Sequence, residues 1–205
     1  MRFFLQSGLL ATLMASSGMA NAEWSANLGF ASEYYYRGIF QESTSANAGV
    51  DYENNGFSAG SWAADVGDGL EVDLYGGYGF SAGTVDLSVG YTGYFYTGDF
   101  DDTYQEINLG AAAGLFSLDV AVGQYDNFDG PTLDYTFYSL AIEKNGFYGK
   151  VGGFAQDFEG EYFETGYGTS VSDIDLGVAL IFANSDLVGE SEESIVFTIG
   201  KSFDL

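Results

Sequence analysis

The sequence predicts an all-β protein: an antiparallel transmembrane β-barrel of about 12 strands (roughly 10–14) preceded by a cleaved signal peptide. Three observations carry that expectation. Segments of roughly ten residues alternate apolar and polar side chains. The connections between them alternate tight and long. The last segment, reaching Leu205, is itself amphipathic.

The leader comes first. Arg2 supplies a positive start, Phe3 to Met14 is mostly apolar, and Ala20-Asn21-Ala22 fits the small-x-small pattern of a signal peptidase site. The apolar run is shorter than the roughly 20 residues a spanning helix needs. Residues 1–22 are therefore assigned as a signal peptide and 23–205 as one barrel domain.

Composition removes several function classes. With 0 Cys and 0 His, disulfides, thiolate metal sites and histidine-based catalytic devices are excluded. Beyond the leader, Arg37, Lys144, Lys150 and Lys201 are the only cations against 30 Asp and Glu, so the chain repels nucleic-acid phosphates. The 16 Tyr, 18 Phe and 30 Gly, with a single Pro, suit strands better than packed helices.

In chain order the alternation marks strands at 25–37, 45–53, 57–65, 71–80, 84–96, 103–113, 116–125, 133–144, 147–156, 162–172, 174–183 and 194–204. In the first, Ala26, Leu28, Phe30, Tyr34 and Tyr36 share a face; in the fourth, Val72, Leu74, Tyr78 and Phe80 do. Val85, Leu87, Val89 and Tyr91 repeat the pattern, as do Phe116, Leu118, Val120 and Val122, and then Ile174 to Phe182 at every second position. Ile195, Phe197, Ile199, Phe203 and Leu205 close the series in a stripe that Lys201 interrupts. It resembles the C-terminal signal of outer-membrane proteins. Tight links (Asn54-Asn55-Gly56, Ser81-Ala82-Gly83, Gly114-Leu115, Asn145-Gly146 and Asp173) alternate with longer acidic ones, matching the short turns and long loops of outer-membrane barrels.

In hydrocarbon the backbone must satisfy its own hydrogen bonds, so such a sheet closes. The face opposite the apolar one then lines a lumen. Parity assigns to it the acids Glu33, Glu71, Asp73, Asp86, Glu106, Asp119, Glu143 and Asp175, together with Arg37 and Lys150. Two cations cannot neutralise eight carboxylates, so water, bound cations or protonation must make up the difference; the simplest answer is an aqueous, narrow, cation-preferring lumen. Arg37 is expected to find its partner across strands, with Glu71 and Asp73 as candidates. The aromatics near strand ends (Trp24, Tyr34 to Tyr36, Tyr94 to Tyr96, Tyr135 to Tyr138, Tyr162 and Phe163) are read as interfacial girdles.

No catalytic constellation, cofactor motif or metal site is legible. Gly98-Asp99-Phe100-Asp101-Asp102 lacks the ligand spacing of a calcium loop.

The stretch Ala26 to Gln41, with Ser32-Glu33-Tyr34 followed by Arg37-Gly38-Ile39-Phe40-Gln41, resembles the opening signature of the TorF-type porin family of Gram-negative bacteria. Phe40 stands where that signature has Ser. Gly49 to Tyr52, Gly56-Phe57, Gly60 to Ala63, Glu71 to Tyr78 and Tyr91 to Tyr96 agree with it as well. The resemblance implies an outer-membrane barrel with a channel role and leaves the solute open.

The expected function is passive diffusion of small hydrophilic solutes through the outer membrane. The partners are then membrane lipid and the solutes or cations themselves; oligomeric state stays open. Two alternatives stand beside it: a closed barrel with a structural, adhesion or lipid-contact role, and a soluble periplasmic β-barrel binding protein. The last would turn its apolar faces inward.

Overall fold

The computed structural model describes residues 23–205; the assigned signal peptide lies outside the described residues. The elements are β1 (Glu23–Ala31), β2 (Tyr34–Tyr36), β3 (Ile39–Glu42), β4 (Ser45–Asn54), β5 (Phe57–Asp65), β6 (Leu70–Ala82) and β7 (Val85–Tyr96). They continue as β8 (Tyr104–Ala113), β9 (Phe116–Tyr125), β10 (Leu133–Lys144), β11 (Phe147–Gln156), β12 (Glu161–Val171), β13 (Ile174–Ala183), the single-turn helix α1 (Ser185–Val188) and β14 (Glu192–Asp204). Twelve of these strands, β1 and β4 to β14, form one closed antiparallel barrel, while β2 and β3 pair only with each other.

Closure is made by β1, which pairs β4 on one side from Glu23↔Glu53 to Ala31↔Ser45 and β14 on the other from Ser25↔Asp204 to Ala31↔Thr198. With both neighbours present on every barrel strand, no ladder edge is left to face lipid.

The apolar stripes point outward. Leu28, Leu74, Val89, Leu118, Val122, Leu140, Leu176, Ile195 and Phe197 are all exposed on the outer face. A water-soluble protein would bury such a belt; a bilayer makes it favourable. Outer aromatics gather near the two rims. Trp24 lies against Tyr52 and Phe147 against Tyr167 near the short turns, and Phe163 stacks on Phe182 near the long loops. The short turns follow from local chemistry. Asn55-Gly56 and Asn145-Gly146 carry positive φ at both residues, as a two-residue hairpin turn requires.

One strand departs from the sequence expectation. The first alternating segment does not run from 25 to 37 in the wall; β1 stops at Ala31. Ser32 makes a last pair of contacts with Phe197, its N–H donating to the carbonyl and its hydroxyl accepting from the N–H. The chain then turns into the barrel as the β2–β3 hairpin. Tyr34 and Tyr35 are buried rather than facing lipid, and Tyr36 is half-buried. The physical reason lies in the side chains: three phenol hydroxyls and a guanidinium need polar partners, and the interior carboxylates supply them.

Candidate functional site

The inner surface divides along the barrel axis. Toward the short turns it is lined by small residues, among them Asn27, Gly49, Ser88, Gly90, Gly110 and Ser117, all partly exposed. Toward the long loops the inward side chains are large and buried, including Trp62, Tyr94, Tyr135, Phe137 and Tyr162. The hairpin sits in this second half.

Its tip is a positive-φ pair, Arg37 (φ 51°) and Gly38 (φ 82°), which turns the chain back on itself. A Cβ at Gly38 would lie 2.6 Å from Cβ and Cγ of Tyr162 on β12, so only glycine fits both the backbone and the contact. Arg37 is thereby aimed at β8. Its Nη1 and Nη2 donate to Oε2 and Oε1 of Glu106 at 2.9 and 2.7 Å, a forked pair with both side chains almost wholly buried. The guanidinium also lies 4.1 Å above the ring centre of Phe137.

Glu106 is saturated beyond that pair. The hydroxyls of Tyr94 and Tyr135 donate to it at 2.8 and 2.9 Å, and Asn108 Nδ2 donates at 2.6 Å. The other hairpin tyrosines repeat the device. Tyr34 donates to Glu71 at 2.6 Å, where Tyr96 also donates, and Tyr36 donates to Tyr94 at 2.8 Å. Tyr35 donates to Glu192 at 3.0 Å and shares a hydrogen bond with Ser194 at 2.6 Å. A second ion pair joins Lys150 to Glu164 at 3.1 Å, with Tyr148 donating to the same carboxylate.

In the long-loop half an apolar cluster packs around the hairpin. Ala121, Tyr135, Phe137, Phe154, Tyr162 and Ala183 are packed by Ile39 of the hairpin and by Phe158, Leu187 and Val188 from the loops after β11 and β13. A cavity of about 30 Å³, lined by Glu33, Tyr34, Tyr35, Tyr148 and Gly177 among others, remains beside the hairpin. That is room for about one water.

The ten residues assigned to the lumen by parity separate by height. Arg37, Glu71, Asp73 and Glu106 come together under the hairpin, all buried. Lys150 joins the interior through Glu164, and Glu33 lines the small cavity. Asp119 accepts a long 3.4 Å bond from Ser139. Asp86 and Asp175 are tied to Ser81 and Ser170 beside the short turns, and Glu143 is exposed at the rim. Two expectations change. The forked partner of Arg37 is Glu106, not Glu71 or Asp73, because the arginine enters from a loop rather than along a wall strand. The aromatic residues do not all form girdles: Tyr94, Tyr96, Tyr135, Phe137 and Tyr162 point inward and, with Tyr34 to Tyr36, occupy the long-loop half of the interior.

Sequence reasoning missed the inward acids Asp51 and Glu164. It also missed the role of tyrosine hydroxyls as partners for carboxylates. Parity could have found them. Tyr94 and Tyr96 share a face with Thr92, and Tyr135 and Phe137 with Ser139, while Glu164 lies opposite Phe163.

A membrane protein solved in a study of in-meso crystallization superposes with a TM-score of 0.60 at 10% identity, over 89% of this chain and 84% of its own. The NanC porin superposes with a TM-score of 0.53 at 12% identity, over 89% of this chain and all of its own. At such identities the likeness is one of fold. No curated protein has a matching sequence. The family described as "Bacterial protein of unknown function (Gcw_chp)" matches residues 15–180, and its description does not carry the TorF-type name suggested by the opening signature. With that match over most of its length, the chain belongs to the Gcw_chp family.

Proposed function

We propose that the protein is exported behind the signal peptide assigned to residues 1–22 and inserted in the outer membrane. There it acts as a narrow porin-type channel for small hydrophilic solutes, with cations preferred over anions. The observation that carries this reading is the make-up of the inner surface. A small, polar, partly exposed lining leads from the short-turn rim to a constriction built by a loop hairpin and its polar contacts. The hairpin, held by these hydrogen bonds and by packing against Trp62, Ile181 and the cluster around Tyr162, narrows the passage further at the level of the inward wall aromatics. The eight inward acids of the sequence reading, with Asp51 and Glu164, outnumber Arg37 and Lys150 and favour cations in that passage. The opening signature supports the same reading by resemblance to TorF-type porins.

Reconstitution into planar bilayers tests it. Small conductance steps are expected, with a reversal potential toward cation selectivity in a potassium chloride gradient. An absence of steps, or an anion preference, would count against it.

One observation favours a second reading, a barrel closed to solutes with a structural or lipid-contact role. The apolar cluster of Tyr135, Phe137, Phe154 and Tyr162 fills the interior as a core would. Bilayers that stay silent while the folded protein is demonstrably inserted would select that reading.

A further inference from the structure

Asp73 stands apart from every other carboxylate under the hairpin. It lies on the inward face of β6, is 1% exposed, and neither of its carboxylate oxygens has a hydrogen-bond partner. Its neighbours explain why. Glu71 takes the hydroxyls of Tyr34 and Tyr96, and Glu106 takes Arg37, Tyr94, Tyr135 and Asn108. The tyrosine hydroxyls and Arg37 are committed elsewhere, and the buried indole N–H of Trp62 across the ladder likewise has no partner. The register sets Asp73 directly between Trp62 on β5 and Tyr94 on β7, two aromatic residues that are themselves buried.

A buried anion without a donor or counter-charge is strongly unfavourable. Asp73 lies in the field of both Glu71 and Glu106, with Arg37 as the cation beside them. The group is therefore short of positive charge. We infer that Asp73 is a binding site for a monovalent cation, either an alkali-metal ion or the ammonium group of a permeating solute. Carboxylate oxygens attract both, and aromatic faces add to the attraction. Among the described residues no three acids converge closely enough to chelate a metal, which disfavours a divalent ion. The inference rests on the channel reading for its purpose, since it places a cation station beside the constriction. It does not depend on that reading for its existence.

Two measurements on the full folded barrel separate those questions. The first is thermal unfolding in micelles, in potassium chloride against an equal ionic strength of a bulky organic-cation chloride. The wild type is expected to unfold at higher temperature in potassium. Asp73→Asn should lose that rise, and Glu190→Gln, in an exposed loop, should keep it. The second is the potassium-to-chloride selectivity of bilayer conductance, which should fall in Asp73→Asn and stay unchanged in Glu190→Gln. Substituting methylammonium for potassium in both assays distinguishes the ammonium source from the alkali-metal one.

A potassium-dependent rise without any conductance would sustain the site and remove the channel. Cation-selective conductance unaffected by Asp73→Asn, with no potassium-dependent rise, would overturn the site and leave the channel. If Asp73→Asn does not fold, the wild-type comparison alone decides: equal unfolding temperatures in the two salts overturn the proposal, because a site of this kind must stabilise the fold when filled.

Discussion

Arg37 shows how one side chain can hold a loop inside a barrel. Its two terminal nitrogens meet both oxygens of Glu106, and its plane lies over Phe137, so charge, geometry and packing act together. Removing one partner strands the other in a dry interior. Arg37→Ala is therefore expected to destabilise the refolded barrel by about 3–5 kcal/mol in urea unfolding, while Arg37→Ala combined with Glu106→Gln should cost clearly less than the two single losses added together. Arg37→Lys should recover only part of the stability, since a single ammonium cannot present forked donors. Full recovery by lysine would mean that charge alone matters. At the neighbouring position, Gly38→Ala meets both a positive φ and the 2.6 Å approach of Tyr162, and should loosen the hairpin. Faster proteolysis between Tyr34 and Glu42 is the expected readout, and unchanged cleavage would show that the turn tolerates a side chain.

The hairpin formed by β2 and β3 is the element that distinguishes this barrel from a plain tube. It has no ladder to the wall, and beyond its packing against Trp62, Tyr162 and their neighbours it is tied down by polar contacts to Glu71, Tyr94, Glu106, Glu192 and Ser194. Replacing residues 34–42 by a short Gly/Ser linker should therefore leave the strand pairing intact and raise single-channel conductance. Conductance unchanged by that deletion would place the constriction in the apolar cluster instead. The loops after β11 and β13 behave differently, because they interlock. Asn184 accepts the N–H of Glu161 with its side chain and donates its own N–H to the Glu161 carbonyl, so these two connections form one lid.

At the scale of the whole molecule, an outward apolar belt around a polar and aromatic interior inverts the order of a soluble protein. The lipid face then predicts depth-dependent costs. Leu140, exposed on the outer face well within β10, should cost about 2–4 kcal/mol when changed to Arg in a lipid bilayer, whereas Leu115→Arg, in a short turn, should cost about 0–1 kcal/mol. Unfolding titrations in liposomes check the pair. Equal costs at the two positions would mean that the belt is not embedded as its pattern implies.

The sequence by itself determined a closed barrel of about 12 strands, all but one of the strand positions and the outward face of the strands whose alternation is clean. Period-two alternation and turn chemistry are local properties, and a closed antiparallel sheet needs little more. Leu28, Leu74 and Leu118 were legible as outward, and Glu71, Asp73 and Glu106 as inward, from parity alone. Only the tertiary structure decided that residues 34–42 leave the wall, that Arg37 meets Glu106 across 69 positions of sequence, and that tyrosine hydroxyls satisfy the interior carboxylates. The reason is physical. A strand's faces follow from its own residues, but the occupant of a lumen depends on which polar groups, brought together from many strands, still lack partners once the barrel has closed.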